Sequence, residues 1–308
     1  MEKFKESIYN ISQLTKRNML IFFKNKTTIF FSLIAPILIL VIYILFLGDM
    51  QLNLVLESYP ELNLTTSEIR GIINAWVISG IVGISLLTVA LNSMFIAISD
   101  REKNIIHDFK ASPVKSVNLT LSYFISAFII TFILATSFII IGNVYLIITN
   151  GSMFVFSFGE SLKIIGLLII ASLSSVITLM FITLFFNKTS TAASFTGIFT
   201  ALIGFLIGAY LPVSFLPKNV ANFANLLPGS QATALFRNVF MNKIFNSPEI
   251  LNNVDTSLIN NLKDQFGFNL YVFNYELKPY LMIIYLIVTT IIFFLLNVVV
   301  SKYKKDRN

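Results

Sequence analysis

The sequence predicts an all-α polytopic membrane protein with six transmembrane helices. Three observations predict it. Six long stretches carry no charge: Thr27–Gly48, Gly71–Ser99, Val117–Phe158, Ile164–Asn187, Thr189–Pro217 and Pro279–Ser301. Hydrophobic residues make up 56% of the 308-residue chain, and mean hydropathy is +0.81. Only 12% of residues are charged, against about 25% in a soluble domain, and these lie between the apolar runs. Crossing a hydrocarbon layer about 30 Å thick takes about 20 apolar helical residues, and each run is long enough.

The elements follow in order within one domain, 1–308. Residues 1–26 read as a helix lying in the membrane interface. Phe4, Ile8, Ile11 and Leu14 form one stripe, with Lys5, Lys16 and Arg17 largely elsewhere. The first span covers about 27–48. It is too long for a signal-peptide core and lacks a small-residue exit, so it is expected to be a retained helix. The second span covers about 72–98. A charged segment follows, Asp100 to Pro113, in which charges surround a short apolar face of Ile105, Ile106 and Phe109. Pro113 disfavours helix at Ser112. A short amphipathic helix is expected here, and its apolar patch suggests a docking element rather than a solvated loop.

The third and fourth spans, about 119–148 and 164–186, separate at Asn150-Gly151-Ser152. Residues 164 to 211 as one helix would run about 72 Å, so Asn187-Lys188-Thr189 must turn the chain into a fifth span at about 190–211. Residues 212–278 read as a small outer helical cap, punctuated by Pro212, Pro217 and Pro228. Ser230 is placed to cap a helix over Gln231–Asn242. Ser247-Pro248 is placed to start another, with Leu251, Val254, Leu258 and Leu262 at helical spacing. The sixth span covers about 279–301.

Basic residues are retained on the cytoplasmic side in short loops. The N-terminal segment, the Arg101–Lys115 loop, Lys188 and the C-terminal tail are basic. The Asp49–Arg70 loop carries four acidic residues against Arg70, and the turn near Asn150 has no basic residue. Both termini are therefore expected in the cytosol. The net charge of +7 flanks spans, so orientation accounts for it and no nucleic-acid partner is expected.

Several chemistries are excluded or disfavoured. There is no cysteine and one histidine, His107, so neither a thiol nucleophile nor a Cys- or His-based metal site is available. No Gly-Lys dipeptide occurs, which excludes a Walker A phosphate loop. No catalytic residue, metal or cofactor is expected on this chain. The spans hold no ionisable residue, which argues against a proton- or sodium-coupled carrier. Among uncharged polar residues, Ser85, Asn92, Ser93, Thr196 and Thr200 could contact a cargo. Such residues more often satisfy helix backbones or pack between helices than bind cargo.

The layout resembles the type-2 ABC transporter permeases, the membrane half of many bacterial exporters. Asp100-Arg101-Glu102-Lys103 followed by Ala111-Ser112-Pro113 is similar to the family's coupling-helix signature. Leu211-Pro212, Leu216-Pro217 and Leu227-Pro228-Gly229 are similar to its outer motif after the fifth span. Lys103-Asn104 stands where a glycine-containing turn is frequent. The resemblance implies a subunit that is not itself an enzyme, in a bacterial cytoplasmic membrane. A separate ATPase subunit would hold ATP and Mg, and a second permease copy or paralogue would complete a dimer.

On that resemblance Ile105, Ile106 and Phe109 would seat in a groove of the ATPase. Arg101, Glu102 and Lys110 would set its register, and Pro113 would close the element. A hydrophobic drug, lipid or peptide would pass between two copies along spans two and five, with the outer segment and its three prolines as exit gate. An alternative class is a membrane sensor or immunity protein that captures a toxin with its outer segment.

Overall fold

The computed structural model describes residues 2–111, 114–151 and 155–305. Helix α1 is Glu2–Lys24, α2 is Lys26–Ser58, α3 is Thr66–Glu102 and α4 is Ile105–Ala111. Then come α5, Ser116–Asn150, α6, Phe158–Thr183, and α7, Thr189–Leu206. Four shorter helices follow: α8, Lys218–Asn225, α9, Pro228–Phe245, α10, Pro248–Asn253, and α11, Thr256–Gln265. A hairpin of β1, Leu270–Val272, and β2, Tyr275–Leu277, leads into α12, Pro279–Lys305. Helices α2, α3, α5, α6, α7 and α12 are long and apolar enough to span a membrane, and their order is the one expected.

Local chemistry sets the helix ends. Asn25 accepts a hydrogen bond from the Thr28 amide and starts α2. Thr65 with Glu68 and Ser157 with Glu160 form reciprocal capping boxes at α3 and α6. Helix α2 does not stop at Gly48. It widens into a π turn over Tyr43–Leu47 and continues as helix to Ser58. The Asp49 carboxylate reaches Arg70 across the gap at 2.7 Å.

Helix α3 is the hub of the bundle, and every residue from Gly71 to Met94 is buried. A charge-free helix with small residues suits that place, because close backbone approach drives helix association in lipid. A Cβ on Gly83 would lie 2.0 Å from Thr233 Oγ1, and one on Gly80 would lie 3.0 Å from Ala209 Cα. Gly142 of α5 gives the same clearance to Ile78. Tyr43 donates to Asn74 Oδ1 at 2.7 Å, and Asn74 donates to Asn150 Oδ1 at 2.9 Å. That chain ties α2, α3 and α5 near the Gly71 end. The outer faces of α2, α7 and α12 expose Phe31, Phe46, Ile198, Leu202, Ile291 and Leu295, as lipid-facing surfaces do.

The segment expected as an outer cap lies deeper than a cap. Gly229 sits against Leu87, Thr233 against Gly83 and Ile244 against Gly71, so α9 runs antiparallel to α3. The end of α7 reaches Gly80 through Ala209. Helix α9 therefore begins seven residues, about 10 Å, closer to the Asp100 end than the point α7 has reached. The chain turns back into the bundle and climbs out again. Pro217 directly precedes α8 and Pro228 is the first residue of α9, a position that suits its fixed φ and missing N–H.

Two boundaries of the expected cap helices differ from expectation. Helix α9 starts at Pro228, with Leu227 rather than Ser230 at its cap. The second cap helix breaks at Val254, which is extended, so that α10 and α11 are separate. The hairpin was not expected. Its two-residue turn, Phe273-Asn274, has positive φ at both positions, the conformation that matches strand twist.

Helix α1 has the expected length and two different halves. Leu14 and Phe22 are buried against the bundle, whereas Phe4, Ile8 and Tyr9 are exposed.

Candidate functional site

The Asp100 end of the bundle gathers most of the residues that the sequence singled out. Asp100 ends the charge-free run of α3, and its side chain is 5% exposed. A carboxylate buried so deeply needs hydrogen bonds to offset lost hydration. It has three. Arg17 Nη1 donates to Oδ2 at 2.7 Å, Arg17 Nη2 donates to Oδ1 at 2.9 Å, and the Tyr123 hydroxyl donates to Oδ2 at 2.5 Å. The fork-to-fork geometry is the strong, directional form of this pair. The hydrogen bond to Asp100 holds the Arg17 guanidinium above its ordinary pKa. One carboxylate thus joins α1, α3 and α5.

The same guanidinium lies over the Phe109 ring, 5.5 Å from its centroid, so α4 enters the joint. Ile106 and Phe109 pack against a cluster of Leu14, Phe22, Leu119 and Tyr123. Part of the apolar face that was expected to seat in a partner's groove thus rests on the chain's own bundle, and Ile106 and Phe109 are left half-buried. Ile105 is half-buried. The residues left outward at the tip are Glu102, Lys103, Asn104 and Asp108. Pro113 and the side chain of Lys110 lie outside the described residues.

Arg101 and Glu102 also have intramolecular work. Arg101 donates to the carbonyls of Thr183 at 2.9 Å and Leu184 at 3.2 Å, at the end of α6. Glu102 Oε2 accepts from the Thr189 amide at 2.9 Å and the Thr189 hydroxyl at 2.5 Å, at the start of α7. A cation at a helix C-terminus and an anion at a helix N-terminus both complement the helix dipole. Adjacent charges thereby clamp both sides of the tight turn 184–188. Asn104 follows with φ of 59°. Asparagine tolerates this left-handed conformation, so the turn forms here without a glycine.

The cargo candidates divide between α3 and α7. Ser85, Asn92 and Ser93 are buried in α3, and they donate to the carbonyls of Val82, Thr88 and Ala90. Thr196 and Thr200 are half-buried on α7, and Thr196 donates to Ala192. The gate prolines also separate: Pro212 is buried, Pro217 is exposed and Pro228 is half-buried.

Sequence reasoning missed Asp100, Arg17 and Tyr123 as a unit. The available signal was an aspartate directly after 29 uncharged residues, Gly71–Ser99. It also missed Arg237, the one charge in Pro228–Asn242, which is 1% exposed.

A family model described as ABC-2 family transporter protein matches residues 50–299. The chain belongs to that family. No curated protein and no solved structure matches the chain. As an ABC-2 family protein it is an ABC transporter permease, a multi-pass membrane subunit. Among the described residues of this ABC-2 permease no acidic or histidine cluster could hold a metal ion. Contacts of Phe109, Arg17 and Asp100 link α4 to α1, α3 and α5, and those of Arg101 and Glu102 link α3 to α6 and α7.

Proposed function

We propose that this permease is the membrane subunit of a bacterial exporter, powered by a separate ATPase that presses on the outward face of the α3–α4 tip. The joint around Asp100 carries the reading. It connects the α3–α4 tip to four other helices, α1, α5, α6 and α7, through charge-assisted hydrogen bonds and one cation–π contact. Contact with the ATPase is assigned to Lys103, Asn104 and Asp108, the exposed side chains of the tip, beside the half-buried Ile105, Ile106 and Phe109. ATP and Mg would be held by that partner chain.

Charge distribution supports a cytosolic tip. Lys3, Lys5, Lys16, Lys103, Lys115 and Lys188 belong to the segments at this end, and Asp49, Glu57, Glu61, Glu68 and Glu160 to those at the other. Both termini are then cytosolic in the plasma membrane. The exposed Phe4, Ile8 and Tyr9 suit the lipid interface beside that end. A second permease copy would complete the path, and Thr196 and Thr200 on the largely exposed α7 remain available to a hydrophobic or amphipathic drug, lipid or peptide.

The test is charge reversal at the tip. The double variant Lys103→Glu, Asp108→Lys, reconstituted with its nucleotide-binding subunit, is expected to lose at least about tenfold of the permease-stimulated ATP hydrolysis, the scale of one well-placed charged contact. Its melting temperature is expected to stay unchanged, because both side chains are exposed. Stimulated hydrolysis equal to the parent's would show that the ATPase docks elsewhere.

A further inference from the structure

A cleft of about 630 Å³ opens at the end of the bundle opposite the tip, between the end of α2, the loop after α7, and α8, α11 and β1. Its size falls in the range of small-ligand sites. Arg237 of α9 lines it and is buried to 1% exposure. Nη2 donates to the carbonyls of Ile207 at 3.0 Å and Gly208 at 2.6 Å, which fixes the guanidinium against the end of α7. Nε has no hydrogen-bond partner, and no carboxylate pairs with Arg237 among the described residues.

Two glycines with positive φ make the room. A Cβ on Gly208 would lie 3.0 Å from Nη2, and one on Gly267 would lie 2.9 Å from Nη1. A buried guanidinium anchored by one nitrogen and unpaired by an acid calls for an anion. Lys218 is a second cation on the cleft, and Asp264 is its single carboxylate among the described residues.

The remaining polar groups narrow the class. Asn225 is 7% exposed; its Nδ2 donates to Tyr271 O at 2.8 Å and its Oδ1 has no partner. Gln265 Oε1, also on the cleft, has none either. Both are acceptors, and they need N–H donors. With Asp264 they would repel the oxygens of a phosphate group, whereas a peptide offers amide donors beside a single carboxylate.

We infer that this cleft binds a short peptide through its free terminal carboxylate, held by Arg237 and Lys218, with Asn225 and Gln265 accepting its amide N–H groups. This goes beyond the ATPase reading and does not depend on it, since binding to the isolated permease is measured without nucleotide or partner.

The experiment titrates trileucine, trileucine amide and inorganic phosphate onto the purified full chain in lipid nanodiscs by calorimetry. Trileucine is expected to saturate, and its amide to bind at least about tenfold more weakly, the worth of one charge-assisted contact. Phosphate is expected not to compete. Lys218→Glu leaves a folded protein, since Lys218 is exposed, and is expected to weaken trileucine at least about fivefold. Arg237→Gln is expected to abolish binding. Equal affinity for acid and amide, displacement by phosphate, no saturation, or a Lys218→Glu variant that binds like the parent would each overturn the inference.

Discussion

Replacing Asp100 with alanine is expected to destabilise the Asp100 end by about 3 kcal/mol, because hydrogen bonds to a buried charge contribute about 1.5–3 kcal/mol and their loss strands the partners. Arg17 would keep its charge under partial burial with no acid beside it, and the Tyr123 hydroxyl would lose its acceptor. Thermal unfolding should show the loss. Hydrogen exchange should localise it to α1 and α4, since Arg17 also carries the Phe109 contact. Arg17→Ala should cost nearly as much, and Arg17→Ala with Asp100→Ala should cost clearly less than the sum, as residues sharing one interaction do. Strict additivity would mean that the two side chains do not form a joint.

The second large effect lies at the hub. Gly83→Ala is expected to cost about 1–3 kcal/mol, the usual penalty for forcing a methyl group into a filled interior. The added Cβ would stand 2.0 Å from Thr233 Oγ1 and 3.1 Å from Thr233 Cγ2. Either α9 moves off α3 or the helices separate. Thr233→Ala in the same chain removes both of those atoms and leaves the Thr233 Cβ at 3.0 Å, so it should restore part of the stability. Melting temperatures of the three variants in detergent decide it. A Gly83→Ala protein as stable as the parent would contradict the packing of α9 along the hub.

What could be read in the sequence followed the membrane's own demands. Charge-free runs and the hairpin forced by an over-long apolar stretch gave six spans in the right order, because lipid leaves few alternatives to helix. Although the Ser247 hydroxyl makes no capping hydrogen bond, the turn at Lys188 and the helix start at Pro248 were legible from local signals. The re-entrant path of α8 and α9 was not. Three prolines read as punctuation of an outer cap, and Arg237 was not singled out; it donates to the carbonyls of Ile207 and Gly208 inside the bundle.

At the tip, composition identified an amphipathic helix but could not say what covers its apolar face. Ile106 and Phe109 look the same in sequence whether they meet a partner or α1. Arg101 and Glu102 likewise read as rim charges, and only the position of the turn 184–188 beside them reveals the clamp. Pro113 lies outside the described residues, so its part in closing the helix stays an expectation.

The central claim is that the tip of α3 and α4 faces the cytosol and receives the stroke of an ATPase. The chain has no cysteine, so Asn104→Cys carries a single, exposed thiol at the tip. In intact cells a membrane-impermeant maleimide should leave it unlabelled, and in inverted vesicles the same reagent should label it fully. A bifunctional thiol reagent should then join it to a nucleotide-binding subunit. Full labelling from outside intact cells would contradict the account.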